Sequence, residues 1–365
     1  FCDLCDMYKP KDIVLGGWDI CSDDLYTATK KAGILDVDLA EQIRDDLEVL
    51  KPMPSVYDKN FIASNQSERA NNIISSENKW DTLNILVNDI KNFKTSNNLT
   101  NVVVLWTAST ERFHKGEWKT EADLSFAIQN NDPEISPSIL FATASLMTNC
   151  IFLNGSPQNT ICPAIIDMAK TYKGFLGGED FKTGQTKLKS VLADWLVSSG
   201  IKPLSIVSYN HLGNNDGKNL KEKDQFRSKE LSKKNVIDDI VESNPCIFGN
   251  ERPDHEVIIK YVPAVRDSKR AMDEYFSELF LDGRHTLAIH NTCEDSLLAV
   301  PLMLDIILFS EFFSRVRISR NNEEFKSFGN VLSMLSFFFK SPVVNNNEPI
   351  INAFFRQRYG LENFV

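Results

Sequence analysis

Residues 201–233 read IKPLSIVSYNHLGNNDGKNLKEKDQFRSKELSK. The apolar run Leu204–Ser208 predicts a strand, an amide-rich turn follows around Asp216, and Lys229 and Lys233 then stand one helical turn apart. Asn210, Asn214, Asn215 and Asp216 set short polar side chains beside two glycines, and such groups are costly to bury unless something hydrogen-bonds to them. A polar ligand is the natural candidate. The plain alternative is a surface turn followed by a solvated basic helix face, since Asn, Asp and Gly are ordinary turn residues.

Outward from this stretch, Asp12–Ile20 predicts a short buried strand with a Gly-Gly turn. Leu39–Leu50 and Trp80–Phe93 carry helical periodicity, Asn101–Thr107 is a β-branched strand, Ser138–Met147 a helix and Cys150–Leu153 a strand. This alternation predicts a parallel α/β sheet. Beyond Thr186 the pattern changes to helix Leu188–Ser199, strand Leu204–Ser208, strand Val257–Val262, helix Ser268–Leu279 and strand Thr286–His290, which predicts a separate α+β domain. The apolar stretch from Leu297 is interrupted by Pro301, Asp305 and Glu311, so a buried helix is expected in place of a membrane span. Asn-rich patches at 71–78, 321–322 and 345–347 read as loops.

At 365 residues the chain has room for two domains of about 150 residues each, and 42% hydrophobic residues is ample for their cores. A net charge of -10 argues against a nucleic-acid surface. An anionic ligand therefore requires locally concentrated basic residues. Seven cysteines are odd in number and scattered, with one lone C-x-x-C at Cys2 and Cys5; a reducing, cytoplasmic compartment is expected. The histidines show no metal spacing, so no metal site is expected.

Motifs along nearly the whole chain then occur in collinear order: GGWDI (Gly16–Ile20), NQ-x-x-RANN (Asn65–Asn72), VVLWTA-x-TERF (Val103–Phe113), EISPS (Glu134–Ser138) and NGSPQNT (Asn154–Thr160). DFKTGQTKLKSVL (Asp180–Leu192), SYNHLGNNDG (Ser208–Gly217), FRSKE-x-SK (Phe226–Lys233), DSKRAMDEY (Asp267–Tyr275) and HNTCEDSLLA (His290–Ala299) complete the set. The chain resembles the myo-inositol-1-phosphate synthase family. The resemblance implies a Rossmann-like NAD-binding domain (residues 1–186), an α+β catalytic and tetramerisation domain (187–295), and a return to the first domain that closes the active site (296–365). It also implies a homotetramer free of nucleic acid and membrane. The family's glycine-rich dinucleotide loop is expected upstream of Phe1, and its absence here is expected to weaken NAD binding, because its glycines admit the pyrophosphate to a helix N-terminus.

Residue by residue, the resemblance implies that Asp19 binds the adenosine ribose, with Gln66, Arg69, Thr107, Ala108, Ser109, Thr110, Gly155, Ser156, Asp180 and Thr183 also on the cofactor. Where Ser109 and Thr183 stand the family usually has Asn and Ser. Asn214, Asn215 and Asp216 are implied on the cofactor as well, Asp267, Asp295 and Ser296 toward its nicotinamide end, and Asn210 and Asp216 toward the substrate. Each of the aspartates and serines could instead be a helix cap.

The implied reaction converts glucose 6-phosphate to myo-inositol 3-phosphate by hydride removal at C5, proton loss at C6, aldol closure onto C1 and hydride return. Oxygen anions arise along the way and need a cationic proton donor. Lysine suits this, because burial and neighbouring cations bring its pKa down from about 10.4. The matching lysines are Lys229, Lys233, Lys269 and Lys340. Lys229 is assigned the proton at O5 with Lys269 beside it, and Lys233 and Lys340 the C1 carbonyl oxygen and the phosphate. Lys182, Lys187 and Lys189 read as a solvated helix face. A catalytically silent homologue and a simple dehydrogenase are the other readings; the complete lysine set favours the isomerase.

Overall fold

The computed structural model describes residues 5–319, 323–327, 329–345 and 348–364; Cys2 and the asparagines at 321, 322, 346 and 347 lie outside them. Strands β1 (Trp18–Asp19) and β2 (Met53–Pro54) pair in parallel. Strands β3 (Val103–Trp106), β4 (Ile151–Asn154) and β5 (Phe175–Gly178) form a second parallel sheet in that order, Val103 opposite Ile151 and Ile151 opposite Phe175. A mixed sheet follows, built from β6 (Lys202–Leu212), β7 (Asp254–Tyr261), β8 (Ser268–Glu278) and β9 (Arg284–Glu294) in the order β7-β6-β8-β9. The helices that carry the argument are α1 (Lys79–Ser96), α2 (Pro137–Met147), α3 (Pro163–Tyr172), α4 (Gly184–Ser198), α5 (Lys223–Lys234), α6 (Asp295–Arg315) and α7 (Phe354–Phe364).

The strands VVLW and IFLN are near-continuous apolar runs because both faces of their sheet are covered. On one face Leu83, Leu86 and Ile90 of α1 and Ile139 and Phe141 of α2 pack with Val104 and Phe152. On the other, Ile306, Phe309 and Phe313 of α6 join Leu335 and Phe338 of the 333–338 turn over Ile151 and Leu153. Helix α2 starts where Ser136 Oγ accepts from the Ile139 amide at 3.3 Å ahead of Pro137. Ser at the cap and Pro at the first position suit a helix start, because one fills an orphan donor and the other has none to fill. Helix α6 is the one helix among the described residues long and apolar enough to cross a membrane. Its Leu302, Ile306, Leu308, Phe309 and Phe313 lie in the core.

In the mixed sheet β6 pairs in parallel with β7 and antiparallel with β8, and β8 antiparallel with β9. Helix α4 lays Ala193, Leu196 and Val197 against Ile206 and Tyr275. The sequence reading of Ser268–Leu279 as a helix is wrong: the segment is β8. Its buried residues Ala271, Asp273, Tyr275 and Ser277 recur every second position, the period of a strand. The Lys, Arg, Ala, Met and Glu content favours helix locally, but pairing on both edges overrides a propensity worth tenths of a kcal/mol per residue. Leu39–Leu50 breaks into two short helices, Val37–Gln42 and Arg44–Glu48, and the Asp12–Ile20 strand shrinks to Trp18–Asp19.

Gly213, just after β6, donates its amide to the Arg266 carbonyl at 3.0 Å. A Cβ there would lie 2.4 Å from the Arg266 nitrogen and 2.7 Å from the Val262 oxygen, backbone atoms that cannot swing aside. Gly213→Ala is expected to lower stability by roughly 1–3 kcal/mol, the range for overpacking a closed site. A urea-unfolding midpoint equal to that of the parent would contradict this packing.

Candidate active site

Helix α5 buries a polar side. Gln225, Ser228, Ser232 and Lys233 are its buried residues, spaced to share one face. A helix ordinarily turns apolar side chains inward, so each of these groups needs a fixed partner. Gln225 Nε2 donates to the Phe61 carbonyl (2.8 Å), Ser228 Oγ to the Glu111 carbonyl (2.9 Å), and Ser232 Oγ to the Asp180 carboxylate. Lys233 Nζ donates to Asn210 Oδ1 (2.9 Å) and Gln185 Oε1 (3.2 Å). Lys229 Nζ reaches Asp180 Oδ1 at 3.1 Å.

Asp180 stands between β5 and α4, only 1% exposed and with a φ of 61°. A non-glycine residue is held in the left-handed region by its surroundings. Here residues 180–182 run antiparallel to 338–340: the Lys340 amide donates to the Asp180 carbonyl (2.7 Å) and the Lys182 amide to the Phe338 carbonyl (2.8 Å). This pairing brings Lys340 Nζ to 3.0 Å from Asp180 Oδ1. Lys269, from β8, donates to Asp295 Oδ1 at 3.1 Å at the head of α6. Asp273, the residue four positions on that a helix would have set beside it, accepts from Gln185 Nε2 instead.

Three of the four lysines thus contact two carboxylates, Asp180 and Asp295, while Lys233 contacts none among the described residues. Burial alone would lower the Lys229 pKa, but the charges of Asp180 and Asp216 outweigh it and leave it raised. Burial lowers Lys233 far below the ordinary lysine value, and the cations Lys269, Lys340 and Lys229 add to the effect. Lys340 is brought down to about 7, by burial first; Asp180 opposes this, while Lys229 and Lys269 reinforce it. Burial pushes Asp180 up, yet Lys229 and Lys340 hold it below the usual carboxylate range. One lysine is therefore kept charged and two are poised to lose their protons, an arrangement suited to donating and accepting protons at one anionic ligand.

The remaining predicted residues form a second group. A cavity of ≈ 380 Å³ lies between β1 and β3, lined by Asp19, Gln66, Arg69, Thr107, Ala108 and Ser109 among others. Asp19 Oδ1 accepts from the Cys21 amide (2.8 Å) and lies 3.8 Å from Arg69. The groups meet where Gln66 Nε2 reaches the Asn215 carbonyl (3.3 Å) and where Asp216 accepts from the Thr110 amide (2.8 Å) and hydroxyl (3.1 Å). Ser156 Oγ donates to the Ala108 carbonyl (2.7 Å), and the Gly155 amide to that of Trp106 (2.9 Å). Asn214 caps the short helix Asn215–Asn219, its Oδ1 accepting from the Gly217 amide at 2.9 Å. Asp267 caps α6, accepting from Ser296 N (2.9 Å) and Oγ (2.8 Å). Thr183 precedes α4 with no side-chain cap among the described residues, and the amides of a helix start are donors suited to an anion.

Sequence reasoning missed Gln185, Ser232 and Glu111. Ser232 was findable, since Ser228, Lys229, Ser232 and Lys233 share a helix face. Glu111 is fully buried, its carboxylate accepting from the Ser138 amide (3.0 Å) and hydroxyl (2.6 Å); burial raises its pKa to about 7 even so. The expectation that Lys182, Lys187 and Lys189 are solvated is also wrong. Lys182 is 0% and Lys189 2% exposed, and Lys187 lies over the Phe337 ring at 3.9 Å.

The sequence profile described as "Myo-inositol-1-phosphate synthase", an NAD-binding family, matches residues 1–365. The chain belongs to the myo-inositol-1-phosphate synthase family. It is 52% identical to inositol-3-phosphate synthase 1-B of Xenopus laevis, over all of this chain and 65% of that protein. It is 50% identical to inositol-3-phosphate synthase of Dictyostelium discoideum, over 99% of this chain and 71% of that one. The crystal structure of inositol-3-phosphate synthase from Caenorhabditis elegans superimposes with a TM-score of 0.97 at 49% identity, covering 99% of this chain and 71% of that chain. The chain therefore spans about two-thirds of the length of the curated relatives it matches.

NAD is the cofactor of this family, and the residues present fit part of it. Tyr57 Oη, Gln66 Oε1 and Trp106 Nε1 are buried without a hydrogen-bond partner among the described residues, and all three residues line the cavity beside Asp19. Such orphaned groups call for a polar occupant. No G-x-G-x-x-G run occurs in the sequence, so a glycine-rich pyrophosphate cradle is not among these residues.

Replacing Asp180 with Asn would leave Lys229 and Lys340 buried without their carboxylate. A loss of roughly 3–5 kcal/mol is expected at pH 7. The deficit should shrink toward pH 9. Without the carboxylate Lys229 loses the charge that holds its pKa up and Lys340, already lowered, falls further below its unfolded value, so the unfolded chain binds more protons and the variant's stability climbs more steeply with pH. Urea midpoints at the two pH values check this; a pH-independent deficit would contradict the shared ion pair.

Proposed function

We propose that the chain carries the catalytic centre of an inositol-3-phosphate synthase, converting D-glucose 6-phosphate to 1D-myo-inositol 3-phosphate in the first step of inositol biosynthesis. The observation that carries this reading is the gathering of four lysines around Asp180, one of which, Lys233, has no carboxylate in contact among the described residues, an excess of cations. A phosphate dianion whose transformation generates further oxygen anions is the ligand such an excess suits.

Lys229, held charged, stabilises and protonates O5 as its carbonyl gains electron density, with Lys269 beside it. Lys233 and Lys340 bind the C1 carbonyl oxygen and the phosphate, and their lowered pKa values let either hold or release a proton near neutrality. The amides at the start of α4, next to Gln185 and hence to Lys233, offer the phosphate a second set of donors. Asn210 orients Lys233. NAD, when bound, accepts hydride from C5 and returns it, so it is regenerated in each turnover. Asp19, Gln66, Arg69, Thr107, Ala108, Ser109, Thr110, Gly155, Ser156, Thr183 and Asn215 would hold it, with Asp216, Asp267, Asp295 and Ser296 toward the reacting end.

The same reading divides the chain into a Rossmann-like domain (1–186), a catalytic and oligomerisation domain (187–295) and a closing segment (296–365). The segregation of the two larger sheets into these ranges supports it. A homotetramer in the cytoplasm is proposed. The exposed Phe280 and Leu281 at the β8–β9 turn support further burial there, and the free cysteines among the described residues support a reducing compartment.

The protein is expected to form inositol 3-phosphate from glucose 6-phosphate with catalytic NAD and no net NADH. Steady NADH release matching product would favour a dehydrogenase. Lys229→Ala should cut turnover at least about a hundredfold while NAD binding changes little. Lys233→Ala and Lys340→Ala should also raise KM, because they meet groups already present on the bound substrate. Product assays and cofactor titration on the three variants test the division of roles; near-parental turnover in Lys229→Ala would sink it.

A further inference from the structure

Lys182 is a fully buried lysine that the chemistry above leaves unused. Its Nζ donates to Gln357 Oε1 (2.9 Å), Asn352 Oδ1 (3.3 Å) and the Asn352 carbonyl (3.4 Å). Three ammonium protons thus meet three acceptors, all neutral and all from residues 352–357. No carboxylate pairs with it among the described residues: Asp239, the anion that acts on it, spends one oxygen on the Ala353 amide at 3.0 Å. Burying an unpaired ammonium is costly, and burial lowers this one's pKa to about 7. An apolar side chain would fill the same space without that cost.

Its neighbours show what the ammonium does. Gln357 Nε2 passes the contact on to the carbonyls of Ser336 (3.0 Å) and Ile351 (2.7 Å). Ser336 belongs to the turn 333–338 that runs into Phe339 and Lys340. The Lys182 amide meanwhile holds the Phe338 carbonyl, and the Lys340 amide holds the Asp180 carbonyl. We propose that Lys182 is a positioning residue: its ammonium clips the Asn352–Gln357 segment and the 333–338 turn together, so that the 338–340 backbone lies against 180–182 and Lys340 Nζ meets Asp180. Direct contact with substrate is excluded by its complete burial and its fully engaged donors.

The activity arm of the test rests on the synthase reading; the exchange arm does not. Lys182→Met keeps the length of the side chain and removes its donors. Gln357→Met, at a buried position of helix α7, breaks the same relay from its other end. Each is expected to speed hydrogen–deuterium exchange in residues 333–342 and 354–364, and to lower kcat by about tenfold to a hundredfold with KM for glucose 6-phosphate within about threefold. The double variant should be hardly worse than either single one, because both cut the same relay. Unchanged exchange, parental kcat, a rise in KM alone, or additive losses would each overturn the proposal. If the parent itself makes no inositol phosphate, the synthase reading fails and the exchange result still decides the clip. If Lys182→Met does not fold, Gln357→Met carries the same measurements.

Discussion

Everything at the centre of this molecule is arranged around one carboxylate. Asp180 is nearly inaccessible to water and receives Lys229 from α5, Lys340 from the C-terminal segment and Ser232 from the turn of α5 beyond Lys229. A carboxylate in such a place is tolerable only because two cations compensate it, and each cation only because the carboxylate is there. The constraint is mutual. The β3–β5 sheet, the polar helix α5 and the segment around Lys340 are each fixed by the need to meet at this point, and their main-chain contacts, such as the 180–182 to 338–340 pairing, serve that meeting.

The same arrangement separates four chemically identical side chains. Lys229 faces Asp180 with Asp216 behind it and keeps its proton, whereas Lys233 sees amide oxygens and four other lysines and gives its proton up easily. Two residues four positions apart on one helix thus acquire opposite tendencies from what surrounds them. An amide partner in place of a carboxylate, Asn210 for Lys233, is as much a choice about protonation as about geometry.

Much of this was legible in the residues. The apolar runs at 103–106 and 151–154 announced a parallel sheet, and the Lys229–Lys233 spacing announced two ammonium groups on one face. The lysine identities themselves came from resemblance, since no pattern in the sequence links Lys340 to Asp180 across 160 positions. Ser268–Glu278 misled because its helix-forming residues are paired on both edges by partners at 202–212 and 284–294, distant in sequence. Lys182 and Lys189 misled because a charged residue ordinarily marks solvent, and only the packed structure supplies their acceptors, Gln357 and Asn352 for one and His255 for the other.

The 160-residue separation of Lys340 from Asp180 also bears on how the protein is made. At ribosomal rates of about 5–20 residues per second, Lys340 is polymerised roughly 8–30 s after Asp180. Through that interval the β3–β5 sheet lacks the 333–338 turn that, with α6, covers one of its faces, and Asp180 has at most one of its two cations. The nascent chain carries an exposed apolar surface and a half-compensated carboxylate until residues 333–340 leave the exit tunnel, so the site and the layer beneath it become complete together.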